Sequence, residues 1–288
     1  MEKKPEWLKV KYNSLAVQPV DGVLAQLGLN TVCQSANCPN LGECYKKKTA
    51  TFMVMGKTCT RTCGFCNIPC GRTETLDSNE PRNIAIATKY LKLKHVVVTQ
   101  VTRDDLKDGG ASHMAQTIKE IKRICKDVTV EVLISDLRGN IDALRVILEA
   151  KPDVLNHNVE MVKSLYKESR PQARYERSLK ILEESKKIDP NILTKTGFML
   201  GLGETDEEVY ELMDDVLKTN CDILTISQYL RPSPKHKKVS RYVRLNQFDE
   251  YKRIAMEKGF KFVASGPLVR SSYQAAEAFE QAKKKEYK

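Results

Sequence analysis

Three cysteines stand close together in the run Cys59-Thr60-Arg61-Thr62-Cys63-Gly64-Phe65-Cys66, with the spacing Cys-x3-Cys-x2-Cys. Thiolates this close on one loop can hold three irons of a four-iron cluster. A closed cluster takes four cysteines. With three, one iron keeps an open coordination position, and a small molecule can bind the metal there directly. A second trio lies upstream at Cys33, Cys38 and Cys44, with the spacing Cys-x4-Cys-x5-Cys. Three more thiolates imply a second cluster, again with one iron unfilled. A structural zinc site competes for the first trio, with Cys70 as its fourth thiol. Zinc asks for a closed tetrahedron, usually built from Cys-x2-Cys pairs, and the x3–x2 spacing departs from that pattern.

Seven of the nine cysteines of the 288-residue chain lie between Cys33 and Cys70. The other two, Cys125 and Cys221, sit in apolar contexts and read as small core residues. The start, Met1-Glu2-Lys3-Lys4-Pro5-Glu6-Trp7, has no apolar stretch after its lysines, so no secretory signal is expected. No apolar run is long enough to cross a bilayer, and no membrane partner is expected. These features predict a cytoplasmic protein. Disulfides are rare in that reducing compartment, which leaves metal or redox chemistry as the reason for so many cysteines. The net charge is +11, which attracts any acidic partner. The lysines are spread over helix-like segments rather than gathered with aromatics, so nucleic acid is not an expected partner.

The elements that must position the cysteines alternate along the chain. Strands are expected over Thr49–Met55, His95–Thr102, Thr129–Ser135, Val154–Val159, Ile192–Leu202, Asp222–Leu230 and Phe260–Ala264. Helices are expected over Asp21–Leu27, Ala111–Cys125, Ile141–Glu149, Tyr175–Lys187, Glu204–Lys218, with Thr205 as N-cap, and Gln247–Lys258. Cys33–Cys44 contains Asn37, Pro39, Asn40 and Gly42 and reads as a loop, preceded to about Val20 by an irregular arm. Alternation of this kind gives parallel βαβ units. Six or seven units are too few for a closed eight-fold barrel. The expectation is an α/β fold: a partial (β/α)6-type barrel, open on one side, over residues 49–265. Residues 1–48 and 266–288 form N- and C-terminal extensions. Barrel chemistry sits at the carboxyl ends of the strands, where Cys59, Arg103, Asp105, Asp136, His157, Gly201 and Glu204 are expected.

The Cys-x3-Cys-x2-Cys motif with Phe65 before its third cysteine resembles the radical S-adenosylmethionine superfamily. The upstream trio resembles the auxiliary-cluster motif of the lipoyl synthases, and that likeness extends over nearly the whole chain. It takes in Arg103-Asp104-Asp105-Leu106, Pro152-Asp153-Val154-Leu155-Asn156-His157-Asn158, Arg170-Pro171-Gln172-Ala173, Gln228-Tyr229-Leu230-Arg231-Pro232-Ser233 and Ala264-Ser265-Gly266-Pro267-Leu268-Val269-Arg270-Ser271-Ser272-Tyr273.

The resemblance implies two [4Fe-4S] clusters and S-adenosylmethionine as cofactors. Cys59, Cys63 and Cys66 would hold the cluster that cleaves S-adenosylmethionine to a 5′-deoxyadenosyl radical. Cys33, Cys38 and Cys44 would hold a sacrificial sulfur source, with Ser272 as fourth ligand and Ser271 as the fallback. An alkoxide is a hard ligand among soft thiolates and should leave readily, which suits a cluster that comes apart. The implied reaction inserts two sulfur atoms at carbons 6 and 8 of a protein-bound octanoyl-lysine. Those carbons carry no acidic proton, so a cofactor radical is required. Implied partners are an octanoylated lipoyl domain (of a 2-oxoacid dehydrogenase E2 subunit or a glycine cleavage H protein) and an electron donor such as ferredoxin or flavodoxin. Expected S-adenosylmethionine contacts are Arg170 to the methionyl carboxylate, Asp105, Asn156 and Asn158 to polar groups, and the segment of Gly201, Gly203 and Glu204 against the adenine.

Anaerobic iron and sulfide analysis should find about eight of each per chain. Four or none would remove the two-cluster reading.

Overall fold

The computed structural model describes residues 4–8, 18–36, 38, 40–46 and 49–286. Part of the expected N-terminal arm, and Asn37 and Pro39 of the expected cysteine loop, lie outside them. The sheet has eight strands in chain order: β1 (Asn30–Thr31), β2 (Thr49–Val54), β3 (His95–Gln100), β4 (Thr129–Leu133), β5 (Val154–Asn156), β6 (Leu193–Leu200), β7 (Ile223–Gln228) and β8 (Phe262–Gly266). β2 to β8 run parallel, each paired with the next. β1 is antiparallel on the β2 edge. β1 and β8 do not pair, so the curled sheet stays open, as the unit count requires.

Eleven helices are described: α1 (Gln18–Gln26), α2 (Val32–Ser35), α3 (Leu41–Lys46), α4 (Glu80–Tyr90), α5 (Ala111–Ile124), α6 (Ile141–Glu149), α7 (Tyr166–Ser169), α8 (Tyr175–Ile188), α9 (Asp206–Leu217), α10 (Leu245–Lys258) and α11 (Ala275–Glu286). Their amphipathic spacing turns one face to the sheet. In α5, Ala111, Met114, Ala115, Ile118 and Ile121 are buried, three or four residues apart. α9 begins at Thr205 with a full capping box: Thr205 Oγ1 accepts from the Glu208 N–H, and Glu208 Oε2 accepts from the Thr205 N–H. No described helix is long and apolar enough to cross a membrane.

Three departures from the sequence reading have local causes. α4 carries exposed Ile86 and Tyr90, which blur its apolar stripe, and so it escapes notice. The segment expected as a loop at Cys33–Cys44 holds α2 and α3; Thr31 Oγ1 accepts from the Gln34 N–H and starts the first. The last strand begins two residues late because Gly259 (φ 118) ends α10 and Phe260 is buried under the turn.

The apolar core lies between sheet and helices. The concave face holds a buried polar cluster instead. Lys195 on β6 pairs with Glu131 on β4 at 3.0 Å, and both are at most 1% exposed. His95 on β3 lies 3.3 Å from Glu131, and Asn156 on β5 donates to it at 3.1 Å. Burial pushes the Glu131 carboxyl up, but Lys195 and His95 outweigh it and hold the group at about 2. Four adjacent strands are thus tied through one carboxylate.

Removing one partner leaves a buried charge unmatched. Lys195→Met should cost about 3–5 kcal/mol in urea unfolding, and Glu131→Gln with Lys195→Met should recover most of it. The contribution of Glu131 is complete above about pH 4.5, its ordinary value, and is lost as the pH falls toward 2. A single variant within 1 kcal/mol of the parent would show that the pair carries little.

Candidate active site

The carboxyl ends of the parallel strands form one rim, and a cavity of about 320 Å³ opens there. Its wall includes Cys59, Cys63 and Cys66 of the first trio, and Cys33 and Cys38 of the second. It also includes Arg270, Ser271 and Ser272 from the far end of the chain. Cys44 is half-buried in α3, outside that wall. All nine cysteines are free thiols.

The first trio sits on the loop after β2, and side chains from other strands hold it. Arg61, between Cys59 and Cys63, is 5% exposed. It pairs with Asp104 after β3 at 2.7 Å and with Asp136 after β4 at 2.6 Å. Arg177 completes the group, 3.1 Å from Asp136. Burial pushes Asp136 up, but Arg61 more than offsets it and keeps the carboxyl at about 2. Further along the loop, the Gly64 N–H donates to the Ser169 carbonyl at 2.8 Å, and the Gly64 carbonyl accepts from the Lys237 N–H at 2.8 Å. His236 Nε2 lies 3.0 Å from the Cys66 carbonyl. The loop after β7 therefore braces the cysteine loop. Just upstream, the Met55 N–H donates to Glu80 and the Met55 carbonyl accepts from Arg103. Gly110 (φ 88) packs there so closely that a Cβ would strike Met55 Sδ.

Burial favours the protonated form of four of the cavity's thiols. Burial pushes Cys33 and Cys66 up to about 12 and also raises Cys38 and Cys63. Arg270 draws Cys38 back down, and Arg170 does the same for Cys63. A thiol in such a place ionises when a strongly positive centre takes the sulfur, which an iron–sulfur cluster does. Among the described residues, no three His, Cys, Asp or Glu side chains converge closely enough to hold a single metal ion. A cluster needs a wider spread, because each thiolate takes a different iron. Four buried polar atoms on the wall have no partner within the protein: Gln100 Oε1, His157 Nε2, Asn158 Oδ1 and Arg170 Nε. Buried polar groups are normally paired, so the wall fits a polar ligand with hydrogen-bonding groups of its own.

The expected contacts divide. Arg170 and Asn158 line the cavity. Arg170 donates to the Tyr166 hydroxyl at 2.8 Å, and Asn158 donates to Ser271 Oγ at 2.7 Å. Asn156, Asp105, Gly201, Gly203 and Glu204 do not line this cavity, and each is engaged within the protein. Asn156 donates through Nδ2 to Glu131 in the barrel floor, and its Oδ1 is buried without a partner. Asp105 is clamped by Arg103 at 2.7 Å and accepts from Thr73 Oγ1 at 3.0 Å. Glu204 turns back on its own turn, accepting from the N–H groups of Gly201, Leu202 and Gly203 at 2.7, 2.9 and 3.1 Å. A Cβ at Gly201 would strike Gln228 and the Arg241 carbonyl, so the protein's own loop requires glycine here. Arg103 pairs with Asp105, and Asp104 with Arg61. His157 is buried as expected; Nδ1 bonds the Ile134 carbonyl at 2.9 Å, and burial lowers the ring to about 4, keeping it neutral. Cys70 is exposed and lies beside Cys59 in a short parallel bridge.

Sequence reasoning missed Arg61 and Glu160. Arg61 was hidden inside the motif, though an arginine between two metal-binding cysteines demands a counter-charge. Glu160 lines the cavity with a backbone φ of 74, and burial raises its carboxyl, with Arg170 pulling it down. Nothing in the sequence marks it.

A model of the radical S-adenosylmethionine superfamily matches residues 53–216. The lipoyl synthase of Caldanaerobacter subterraneus subsp. tengcongensis is 57% identical over 273 residues, 95% of this chain and 96% of the relative. The lipoyl synthase of Alkaliphilus metalliredigens is 51% identical over 281 residues, 97% of each chain. Among solved structures, Streptococcus suis SuiB bound to S-adenosylmethionine is similar with a TM-score of 0.58 at 12% identity, covering 79% of this chain and 54% of that one. HydG, a maturase of the [FeFe]-hydrogenase, is similar with a TM-score of 0.54 at 12% identity, covering 93% and 71%. At that identity the structures speak for the open-barrel fold alone. The two relatives, matched almost end to end, speak for the family: this chain belongs to the lipoyl synthases, sulfur-inserting radical S-adenosylmethionine enzymes that use two [4Fe-4S] clusters.

Proposed function

We propose that the cavity is where both halves of lipoyl synthesis occur, with the residue roles that follow. The single observation that carries this is that cysteines of both trios and the serine pair open on one space. Cys59, Cys63 and Cys66 hold the cluster that receives S-adenosylmethionine. Cys33, Cys38, Cys44 and Ser272 hold the auxiliary cluster. Bound there, these groups supply a carbon-centred radical on one side and sulfur on the other, for carbons 6 and 8 of the octanoyl chain.

The chain's own residues bind, orient and exclude water. Arg170 is buried with Nε unpaired, which suits a carboxylate. Glu160, of opposite charge on the same wall, suits an ammonium. Together they would fix the two ends of an amino-acid head group. Ser271 is engaged by Asn158, which leaves Ser272 as the freer hydroxyl for iron. The extensions, residues 1–48 and 266–288, bring the auxiliary ligands to the barrel of residues 49–265. The natural substrates are octanoylated E2 or H-protein domains, ferredoxin or flavodoxin supplies electrons, and the reducing cytoplasm keeps the thiols free.

The acidic carrier domain would dock on the basic loop after β7, which carries Arg231, Lys235, Lys237 and Lys238. Lys235 and Lys238 are exposed, but Lys237 pairs with Glu168 at 2.8 Å and its ammonium is largely covered. Arg231 donates to the carbonyls of His236 and Pro234. Lys235 and Lys238 remain as exposed charges of this loop for an acidic domain, with Arg231 beside them still cationic.

Cys59→Ala, Cys63→Ala or Cys66→Ala should each abolish 5′-deoxyadenosine formation. Cys33→Ala, Cys38→Ala, Cys44→Ala or Ser272→Ala should leave cleavage measurable and stop lipoyl formation. A second-trio variant that makes lipoyl product without added sulfide would sink the assignment.

For docking, Lys235→Ala with Lys238→Ala should raise the apparent KM for an octanoylated domain several-fold and leave a short octanoyl-lysine peptide nearly unaffected, and the difference should shrink in high salt. Equal effects on both substrates would mean that the loop shapes the active site instead.

A further inference from the structure

Three segments carry the proposed cluster ligands, and they come from distant parts of the chain. Asparagine side chains tie them together. Asn67, the residue after Cys66, donates from Nδ2 to the Ser35 carbonyl at 2.8 Å. Ser35 lies in α2 between Cys33 and Cys38. Asn40, after Cys38, donates to the Leu268 carbonyl at 2.6 Å. Asn158, past the end of β5, donates to Ser271 Oγ at 2.7 Å. The chain of contacts runs from the first cysteine loop to the second, on to the C-terminal extension, and back to the barrel rim. Asn67 is the link that joins the two cysteine loops directly.

We infer that Asn67 is a positioning residue that sets the spacing between the two cluster sites. This rests on the assignment of the two trios above. α2 is four residues long, too short to be stable by itself. Besides the burial of Cys33 and the Gln34–Asp21 bond, its ends are held by the Thr31 cap at the start and the Asn67 carboxamide at the last residue. A carbon radical formed against the first site must meet a sulfur held at the second, and near-attack geometry tolerates errors of about an ångström at most. Asn67 touches neither substrate nor reacting atom in this scheme. It acts by holding the sulfur-bearing wall against the radical-forming wall.

The test is Asn67→Ala, compared with the parent and with Asn67→Gln, which keeps the donor on a longer arm. Two readings are taken. The first needs no metal: amide hydrogen exchange of the cluster-free chain over Val32–Ala36, which should speed up at least five-fold in the alanine variant. The second uses the reconstituted enzyme: lipoyl product formed per 5′-deoxyadenosine. That ratio should fall at least five-fold, with iron content and S-adenosylmethionine cleavage within two-fold of the parent. Asn67→Gln should recover part of both. Unchanged exchange overturns the inference, whatever the ratio does. So does faster exchange with a normal ratio, since the tie would then be structural and without effect on the reaction. If the alanine variant loads less iron, the exchange reading still decides. Failure of the underlying assignment looks different: the parent itself would bind fewer than about eight irons, or Cys33→Ala would still form product.

Discussion

A buried arginine sits between the first two cysteines of the radical motif, and the rim depends on how its charge is matched. Arg61 cannot be neutralised at any accessible pH, so its burial obliges nearby carboxylates to stay ionised. Asp104 and Asp136 supply them from the ends of β3 and β4, and Arg177 balances the second. The loop that carries Cys59 and Cys63 is thereby fastened to two neighbouring strands. A flexible loop would have to lose its freedom each time a cluster assembled. Here much of that ordering is supplied by the protein's own ion pairs.

The same logic recurs in the barrel floor, where Glu131 joins side chains from β3, β5 and β6. Two buried carboxylates, one at the floor and one at the rim, thus define how the open sheet curls and where its cysteine loop rests. Neither reaches the solvent, and neither is replaceable by an uncharged group without leaving a partner unmatched. An open barrel lacks the closing strand pair that would otherwise fix its curvature. Polar ties across the concave face supply that constraint.

Burial in the cavity has a chemical consequence as well. It raises Cys33, Cys38, Cys63 and Cys66, keeps His157 neutral and leaves Arg170, Asn158 and His157 with unpaired polar atoms. A site in this state favours a polar ligand that brings its own hydrogen-bonding groups. The apolar members of the wall, among them Phe65, Met53, Leu133 and Val101, suit the passage of a saturated acyl chain.

Cysteine spacing, strand–helix alternation and the Thr205 cap were legible in the sequence because each is a local rule: ligand bite, residue period, side chain to backbone three residues on. They were enough for the fold class and for both trios. Neighbouring letters could not reveal which polar residues face which. Asp105 and Asn156 look the same in sequence as Asn158 does, yet only Asn158 lines the cavity, while Arg103 pairs with Asp105 and Asn156 donates to Glu131. The Gly201–Glu204 turn has a nucleotide-like composition, but its glycines and carboxylate serve the turn itself and the loop near Arg241. Helix α4 was invisible because two apolar residues point outward. The pairing of Arg61 with Asp136, 75 positions apart, and the tie from Asn67 to Ser35 exist only when the sheet has curled. The sequence by itself determined the metal chemistry, since thiol type and spacing are set along the chain. The tertiary structure decided which charges meet and which are left facing the cavity, because burial and counter-charge are properties of neighbours in space.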